Sequence, residues 1–130
     1  MEAQKTIKTG EKHQMEFVVE ELHTAAHLGS GMVKVLATPT MILFMEITAR
    51  TMLDELLPEG YSTVGTRVDV RHLAPAALGR TVRAEVAVDA VDGDKVTLSV
   101  AVWDGEALVG QGAHERYVIE VERFLRKLRG

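Results

Sequence analysis

The sequence contains no cysteine, only three prolines, and 5% aromatic residues. Without cysteine, the chain can form no disulfide, no thiolate metal site and no cysteine nucleophile. This absence fits a reducing compartment, and the polar N-terminus has no apolar signal core, so we expect a cytoplasmic protein. The longest unbroken apolar run covers residues 41–45. Since a membrane helix needs roughly 18 apolar residues, we expect no membrane partner.

The chain also lacks a strong charge bias. Its formal net charge is −4, with 26% charged and 46% hydrophobic residues among 130. No basic stripe is present of the kind that binds nucleic acid, and the apolar content is too high for a disordered chain. The length suits one domain over residues 1–130 with a core of its own, and residues 1–14 are polar enough to predict a loose N-terminal arm.

One long helix is predicted in the first half of the chain. Thr38 is a good N-cap and Pro39 suits the first helical position. The stretch Thr40 to Leu57 then contains no glycine or proline, and Pro58 follows directly. These features predict a helix of about 18 residues that begins after Thr38.

The second half of the chain alternates between apolar and polar residues, which is typical of strands. Asp92-Gly93 and Asp104-Gly105 are hairpin turn sequences, and Gly110 and Gly112 suggest a bulge or bend in the last strand. The predicted strands cover residues 16–20, 63–73, 81–91, 95–103 and 107–119, and a short helix covers residues 122–128. The predicted fold class is α+β. Because one helix cannot cover both faces of such a sheet, we expect the sheet to wrap around it.

Glu46 interrupts the apolar side of the predicted helix. At 100° per residue it projects between Leu53 and Leu57, at the edge of an arc that also contains Met41, Met45, Ala49 and Met52. A carboxylate in that position loses hydrating water and favours protonation unless a partner holds it. Glu46 is therefore a candidate catalytic carboxylate. The alternative is a boundary residue that reaches solvent or makes a structural hydrogen bond.

His72 is a second candidate. In the predicted strand it ends the row Val64, Thr66, Val68 and Val70, which we expect to face the core. A core-facing histidine at a strand end can polarise or protonate a substrate. The alternative is a histidine that is hydrogen-bonded within the core.

The start of the helix offers a third candidate site. Thr38 is explained by helix capping alone, but the free N–H groups of Thr40 and Met41 at a helix N-terminus also suit an oxyanion. Gly65 lies in the strand that ends at His72, and it could let a ligand approach the backbone closely. The alternative for Gly65 is an ordinary strand irregularity.

The remaining histidines give weaker indications. His23 and His27 have the spacing of a metal pair on a helix, but no third ligand accompanies them, so we predict no metal site. His114 lies beside Glu115 and Arg116, which favours a structural ion network. The sequence has no glycine-rich phosphate loop and no nucleophile elbow of the G-x-S-x-G type.

Three segments together resemble the fluoroacetyl-CoA thioesterase-like family of hotdog-fold proteins. They are LATPTMILFMEITA at residues 36–49, VGTRVDVRHLAPAALG at residues 64–79 and GAHERYVIEVERF at residues 112–124. The resemblance implies a homodimer in which each sheet wraps a central helix. It also implies hydrolysis of an acyl-CoA thioester by a Thr, Glu and His set, which falls on Thr38, Glu46 and His72. The glycine that helps to bind the thioester carbonyl matches Gly65, and no cofactor is implied beyond the CoA of the substrate.

The segment before the helix departs from the family pattern. Residues 21–36 form a shorter stretch than the lid of the fluoroacetyl-specific enzyme, and Met32 stands near the place of the gating phenylalanine in that lid. We therefore expect Met32, with Thr40 and Met41, to contact the substrate, and we do not carry over the selectivity for fluoroacetyl. The acyl group is left open.

The spacing of Thr38 and Glu46 constrains the site. Eight residues on one helix separate two backbones by roughly 12 Å along its axis, so the two side chains cannot meet within one chain. We predict a site shared between two copies of the chain, with Thr38 of one facing Glu46 of the other. Whether dimers pair into tetramers is left open. The alternatives are a non-catalytic acyl-CoA or small-ligand binding dimer, a hotdog hydratase or dehydratase, and an interaction module.

Overall fold

The computed structural model describes residues 3–130 and contains one five-stranded antiparallel sheet in the order β1-β3-β4-β5-β2. The elements are a 3₁₀ helix Ala3–Thr6, β1 Lys12–Val18, a 3₁₀ helix Glu21–His23, α1 Ala25–Leu28, α2 Thr38–Leu56, β2 Tyr61–His72, β3 Thr81–Asp92, β4 Lys95–Asp104, β5 Ala107–Glu120 and α3 Val121–Leu128. Between residues 3 and 130, no helix combines the length and the apolar character needed to cross a bilayer.

The sheet curves around α2, as the sequence predicts. The buried face of the helix consists of Thr40, Met41, Phe44, Met45, Thr48, Ala49, Met52 and Leu53. The ring of Phe44 stacks on Phe17 of β1 with centroids 4.2 Å apart, and His23 meets it edge-on at 5.0 Å. On a helical wheel Thr48 lies on the polar side of α2, yet it is buried. Its hydroxyl is satisfied there because it donates to the Phe44 carbonyl at 2.7 Å.

The predicted capping role of Thr38 is wrong. The N-cap is Ala37, with extended backbone and no side-chain hydrogen bond, and Thr38 is the first residue of α2. The chain is held at this point because the Ala37 N–H donates to the His23 carbonyl at 3.0 Å. The Met41 N–H donates to the Ala37 carbonyl at 2.9 Å, so it is not the free donor that the sequence suggests. The N–H groups of Thr38 and Thr40 are those without an acceptor in the preceding turn.

The predicted loose arm is also wrong over its described part. Ala3 and Ile7 are buried in the core, and β1 begins at Lys12 rather than Glu16. The alternation of exposed and half-buried residues extends further toward the N-terminus than the apolar run suggests. His13 therefore points to the same, inner side of β1 as Phe17. Residues 1 and 2 of the predicted arm lie outside the described residues.

A bulge in β2 changes which side chains face inward. Gly65 pairs with Arg116 and Arg67 pairs with Glu115, so Thr66 is an extra residue in the ladder. The predicted inner row is therefore wrong before the bulge, where Thr63 is buried instead of Val64. Because the extra residue shifts the period-two pattern by one position, the bulge turns Gly65 and, further along, His72 to the same side of the strand.

The two predicted hairpin turns and the irregularity in β5 are confirmed. Gly93 and Gly105 adopt φ of 59° and 60° in the β3–β4 and β4–β5 turns, a conformation that favours glycine. The β4–β5 register shifts beside Gly110. At Gly112 the backbone of β2 approaches so closely that a Cβ atom would lie 2.6 Å from the Cα of Val70.

Replacing Gly112 by alanine should therefore destabilise the fold. The added methyl group would press on the Val70 backbone, which cannot rotate away as a side chain can. We expect Gly112→Ala to lower the free energy of unfolding by about 2 kcal/mol or more in urea titrations. The control is Gln111→Ala at the adjacent exposed position, which should change it by less than about 0.5 kcal/mol. Equal stability of the two variants would contradict the close approach.

Candidate active site

Thr38 and His72 form a hydrogen-bonded pair where α2 begins and β2 ends. Their side chains meet with the Thr38 Oγ1 2.7 Å from the His72 Nδ1. Burial lowers the pKa of His72 from its ordinary value, and an interaction with the Ala74 backbone partly opposes this. The imidazole is therefore neutral at neutral pH. A neutral ring nitrogen beside a hydroxyl is the arrangement that can orient or activate that hydroxyl.

The second ring nitrogen of His72 adds no further anchor. Within the described part of the chain, the buried Nε2 has no hydrogen-bond partner. The hydrogen bond to Thr38 is therefore the contact that orients this ring.

Glu46 lies at a second place, midway along α2. Its carboxylate faces Gly65 so closely that a Cβ atom on Gly65 would lie 2.6 Å from Oε2. The same oxygen is 3.6 Å from the Arg116 Nη1, and the Glu46 side chain is 37% exposed. Glu46 thus has the charged partner that its position on the helix requires, and one side of it remains open to solvent.

A buried polar network stands behind Glu46. Arg116 is 5% exposed; its Nε donates to the Thr63 Oγ1 at 2.7 Å and its Nη1 to the His114 Nε2 at 3.2 Å. The His114 Nδ1 donates to the Arg67 carbonyl at 2.9 Å. Burial lowers the pKa of His114, and the nearby charge of Arg116 lowers it further. A neutral His114 fits both hydrogen bonds, because Nε2 must accept the one from Arg116.

The sequence reasoning missed Arg116 and Thr63 as parts of the site. The alternation of His114 and Arg116 in β5 was visible, and it places both side chains on one face of that strand. What it does not reveal is the bulge in β2 that brings Thr63 and Gly65 to the same face as Arg116.

The three predicted catalytic residues do not all come together within one chain. Thr38 and Glu46 are separated by about 12 Å along α2. Gly65 and His72 are separated by about 20 Å along β2. Within the chain the residues therefore lie in two separate groups, Thr38 with His72 and Glu46 with Gly65.

The predicted substrate-binding residues are placed in different surroundings. Met41 is fully buried and would contact a side chain at Gly110, and Thr40 is buried beside it. Met32 is 97% exposed on the loop after α1.

His23 is one of the two histidines whose spacing is that of a metal pair, and its Nδ1 accepts the Glu20 N–H at 3.0 Å. Among residues 3–130, no group of three or more metal-ligating side chains is close enough to hold an ion.

The large grooves of the single chain lie away from these residues. A groove of about 870 Å³ runs over the outer face of the sheet, and one of about 600 Å³ lies beside α3. Neither is lined by Thr38, Glu46 or His72. A narrow, largely apolar crevice, too small for a water molecule, lies beside Glu46 between α2 and the inner face of the sheet.

Comparison with known proteins identifies the family. The sequence profile of the fluoroacetyl-CoA-specific thioesterases (FlK) matches residues 19–122. The chain belongs to this family. It is 31% identical to the fluoroacetyl-CoA thioesterase of Streptantibioticus cattleyicolor, in an alignment that covers 95% of this chain and 93% of that protein. The predicted enzyme class, a thioester hydrolase, is confirmed by this membership.

Solved structures confirm the predicted hotdog fold. A structure of the fluoroacetyl-CoA thioesterase FlK matches with a TM-score of 0.88 and 31% identity, over 95% of this chain and 96% of that one. A hot-dog-like protein from Thermanaerovibrio acidaminovorans matches with a TM-score of 0.88 and 30% identity, over 98% and 95%. A further FlK structure, 30% identical with a TM-score of 0.88 over 95% and 97% of the two chains, is a threonine-to-serine variant in complex with acetyl-CoA.

Because His114 is buried and neutral in the folded chain, the free energy of unfolding depends on pH. The pKa of His114 is lowered in the folded state from the ordinary value of 6.5, so the unfolded chain takes up this proton first. The histidine contribution to the free energy of unfolding is complete above about pH 6.5 and decreases as the pH falls below it, by at most about 1.4 kcal/mol per pH unit. His72, with a pKa lowered in the same direction, adds to this loss.

Urea titrations at pH 7.5, 6.5 and 5.5 would measure this dependence. His114→Gln replaces the titrating ring by an amide that can still donate and accept, so its free energy of unfolding should fall less steeply over this range. The same slope in the parent and the variant would show that His114 does not titrate in this way.

Proposed function

We propose that this member of the family hydrolyses a small acyl-CoA to the free acid and CoA, at a site formed by two copies of the chain. The observation that carries the proposal is the division into two half-sites, one with a paired hydroxyl and imidazole and one with a carboxylate facing an open glycine. The family and the acyl-CoA named for its relative support the substrate class.

The free edge of β2 supports the shared arrangement. β2 ends the sheet, so its outer edge has no strand beside it, and residues 65–69 are exposed. A second copy could add its own β2 in antiparallel fashion. With a two-fold axis near Val68 and Asp69, Gly65 of one copy would lie opposite His72 of the partner.

The spacing of the site residues on α2 fits the same two-fold symmetry. Ile42 lies halfway between Thr38 and Glu46 on α2, so a two-fold axis passing near Ile42 would set each half-site against the other half-site of the partner. Leu43 and Val68, close to this axis, are 48% and 40% exposed in the single chain. Pairing would cover both apolar side chains, which favours it.

The chemistry follows from this arrangement. Water attacks the thioester carbonyl carbon while Glu46 takes the proton, and the oxyanion lies at the Gly65 backbone or at the Thr38 and Thr40 N–H groups. The C–S bond then breaks and CoA leaves as a thiolate that takes up a proton. Thr38, held by His72, either orients the water or accepts the acyl group itself before hydrolysis. Both routes give one acid and one thiol.

The acyl group of the substrate, the oligomeric state and the location of the protein are parts of the proposal. The fluoroacetyl-CoA and acetyl-CoA named for the relatives favour a short acyl group. Selectivity for fluoroacetyl is not included, because Met32 stands in place of the aromatic gate. A homodimer follows from the shared site, and a cytoplasmic location is a prediction from the sequence.

Thiol release from a panel of acyl-CoAs tests the reaction. We expect turnover by the parent and a loss of about 100-fold or more in Glu46→Gln and in Thr38→Ala, because each removes a group that takes part in the chemistry. Acyl-CoA binding should survive in Glu46→Gln. Binding without any thiol release by the parent would favour a binding protein, and a modified acyl group on an intact thioester would favour a hydratase.

Mixing variants tests whether the site is shared. Co-expression of Thr38→Ala and Glu46→Gln chains should restore about a quarter of the parent activity, since half of the dimers are mixed and each mixed dimer keeps one intact site. The matched control is Thr38→Ala with His72→Ala, which removes two residues of one half-site and should restore nothing. Equal activities of the two mixtures would contradict the shared site.

A further inference from the structure

We infer that Arg116 is a positioning residue that holds the Glu46 carboxylate turned toward Gly65, and that Thr63 and His114 hold Arg116 in place for this purpose. The inference rests on the proposed function, in which Glu46 takes the proton of the attacking water.

The first support is the immobility of the guanidinium. Arg116 donates from Nε to the Thr63 Oγ1 at 2.7 Å, from Nη2 to the Thr63 carbonyl at 3.0 Å and from Nη1 to the His114 Nε2 at 3.2 Å. These bonds engage all three nitrogens of the planar fork from two different strands. The guanidinium therefore has one position, which a flexible lysine could not reproduce.

The second support is the charge balance. A buried cation is costly unless an anion compensates it, and Arg116 is 5% exposed. Thr63 and neutral His114 satisfy its hydrogen bonds without supplying negative charge. The carboxylate within ion-pair distance is Glu46, with its Oε2 3.6 Å from Nη1. Glu46 thus compensates the buried positive charge of Arg116.

The third support is the meeting of three groups at one point. The position of a Cβ atom on Gly65 is 2.6 Å from the Glu46 Oε2 and 3.4 Å from the Arg116 Nη1. The absence of a side chain at Gly65 therefore leaves a space bordered by the carboxylate and backed by the guanidinium. A carboxylate held there is oriented toward anything that approaches the Gly65 backbone.

The other surroundings of Glu46 offer no substitute for Arg116. On its own helix, Arg50 and Asp54 are one and two turns away and bind each other at 2.7 Å. β2 contributes Thr63 and Gly65, which are uncharged, and β5 contributes His114 as well as Arg116. The crevice beside Glu46 is otherwise apolar, with Val68, Val70 and Val100 in its wall. Arg116 is thus the cation that lies against the Glu46 carboxylate.

The separate effects on kcat and KM test this role. In Arg116→Gln we expect kcat to fall by about tenfold or more with little change in KM, because the carboxylate loses the group that holds it and its orientation matters in the transition state. Arg116→Lys keeps a positive charge beside Glu46 without the planar fork, so it should restore part of the lost kcat.

Arg80→Gln is the matched control. It removes an arginine from a paired but exposed position, where Arg80 binds Asp104 at 2.8 Å. Its kcat and KM should equal those of the parent. If Arg116→Gln does not fold, Thr63→Val keeps the charge and removes one anchor of the guanidinium, and it should lower kcat with little change in KM.

The outcomes separate the inference from the function on which it rests. A parent that releases no thiol overturns the proposed function. An active parent combined with a folded Arg116→Gln whose kcat is unchanged overturns the role of Arg116, and so does full kcat in Thr63→Val. A fall of kcat in Arg116→Gln that Arg116→Lys partly reverses, with KM unchanged in both variants, supports the role.

Discussion

The rigid rise of α2 is the constraint on which the rest of the site depends. A helix enclosed by a sheet cannot bend to bring Thr38 and Glu46 together, so each side chain must find its partners where it stands. Thr38 meets His72 at the helix start, and Glu46 meets Gly65 and Arg116 two turns later. The same strand, β2, supplies the neighbour in both places. The two half-sites are therefore built on one helix and one strand that lie side by side.

β2 serves this arrangement through its position and its irregularity. As an edge strand it leaves backbone groups unpaired, which invites a second strand. Its bulge at Thr66 turns Gly65 to the carboxylate while His72 still faces the helix start. A regular strand would place these two residues on opposite faces, because seven positions separate them. The bulge is thus the local feature that makes one strand serve both half-sites.

The network around Arg116 shows how the fold carries a charge in its interior. An apolar residue at this position would avoid the free-energy cost of burying a charge in a core of valines and methionines. The arginine is instead surrounded by hydrogen-bond acceptors and lies against a carboxylate that is still open on one side. Such an arrangement holds the carboxylate in one orientation.

The sequence by itself determined the order of the elements, the sheet around one helix and the two hairpins, and it marked Glu46 and His72 as candidate site residues. These features follow from local rules: the period of apolar residues, the turn residues and the spacing along a helix. The tertiary structure decided the rest. It assigned Thr38 to His72 instead of the helix cap, ordered the described part of the N-terminal segment, and made Arg116 the partner of Glu46. These contacts join residues 34 to 70 positions apart, and a single extra residue in β2 changes which of them can form. Local patterns cannot report such a shift, because it is fixed by the pairing of two strands distant in the chain.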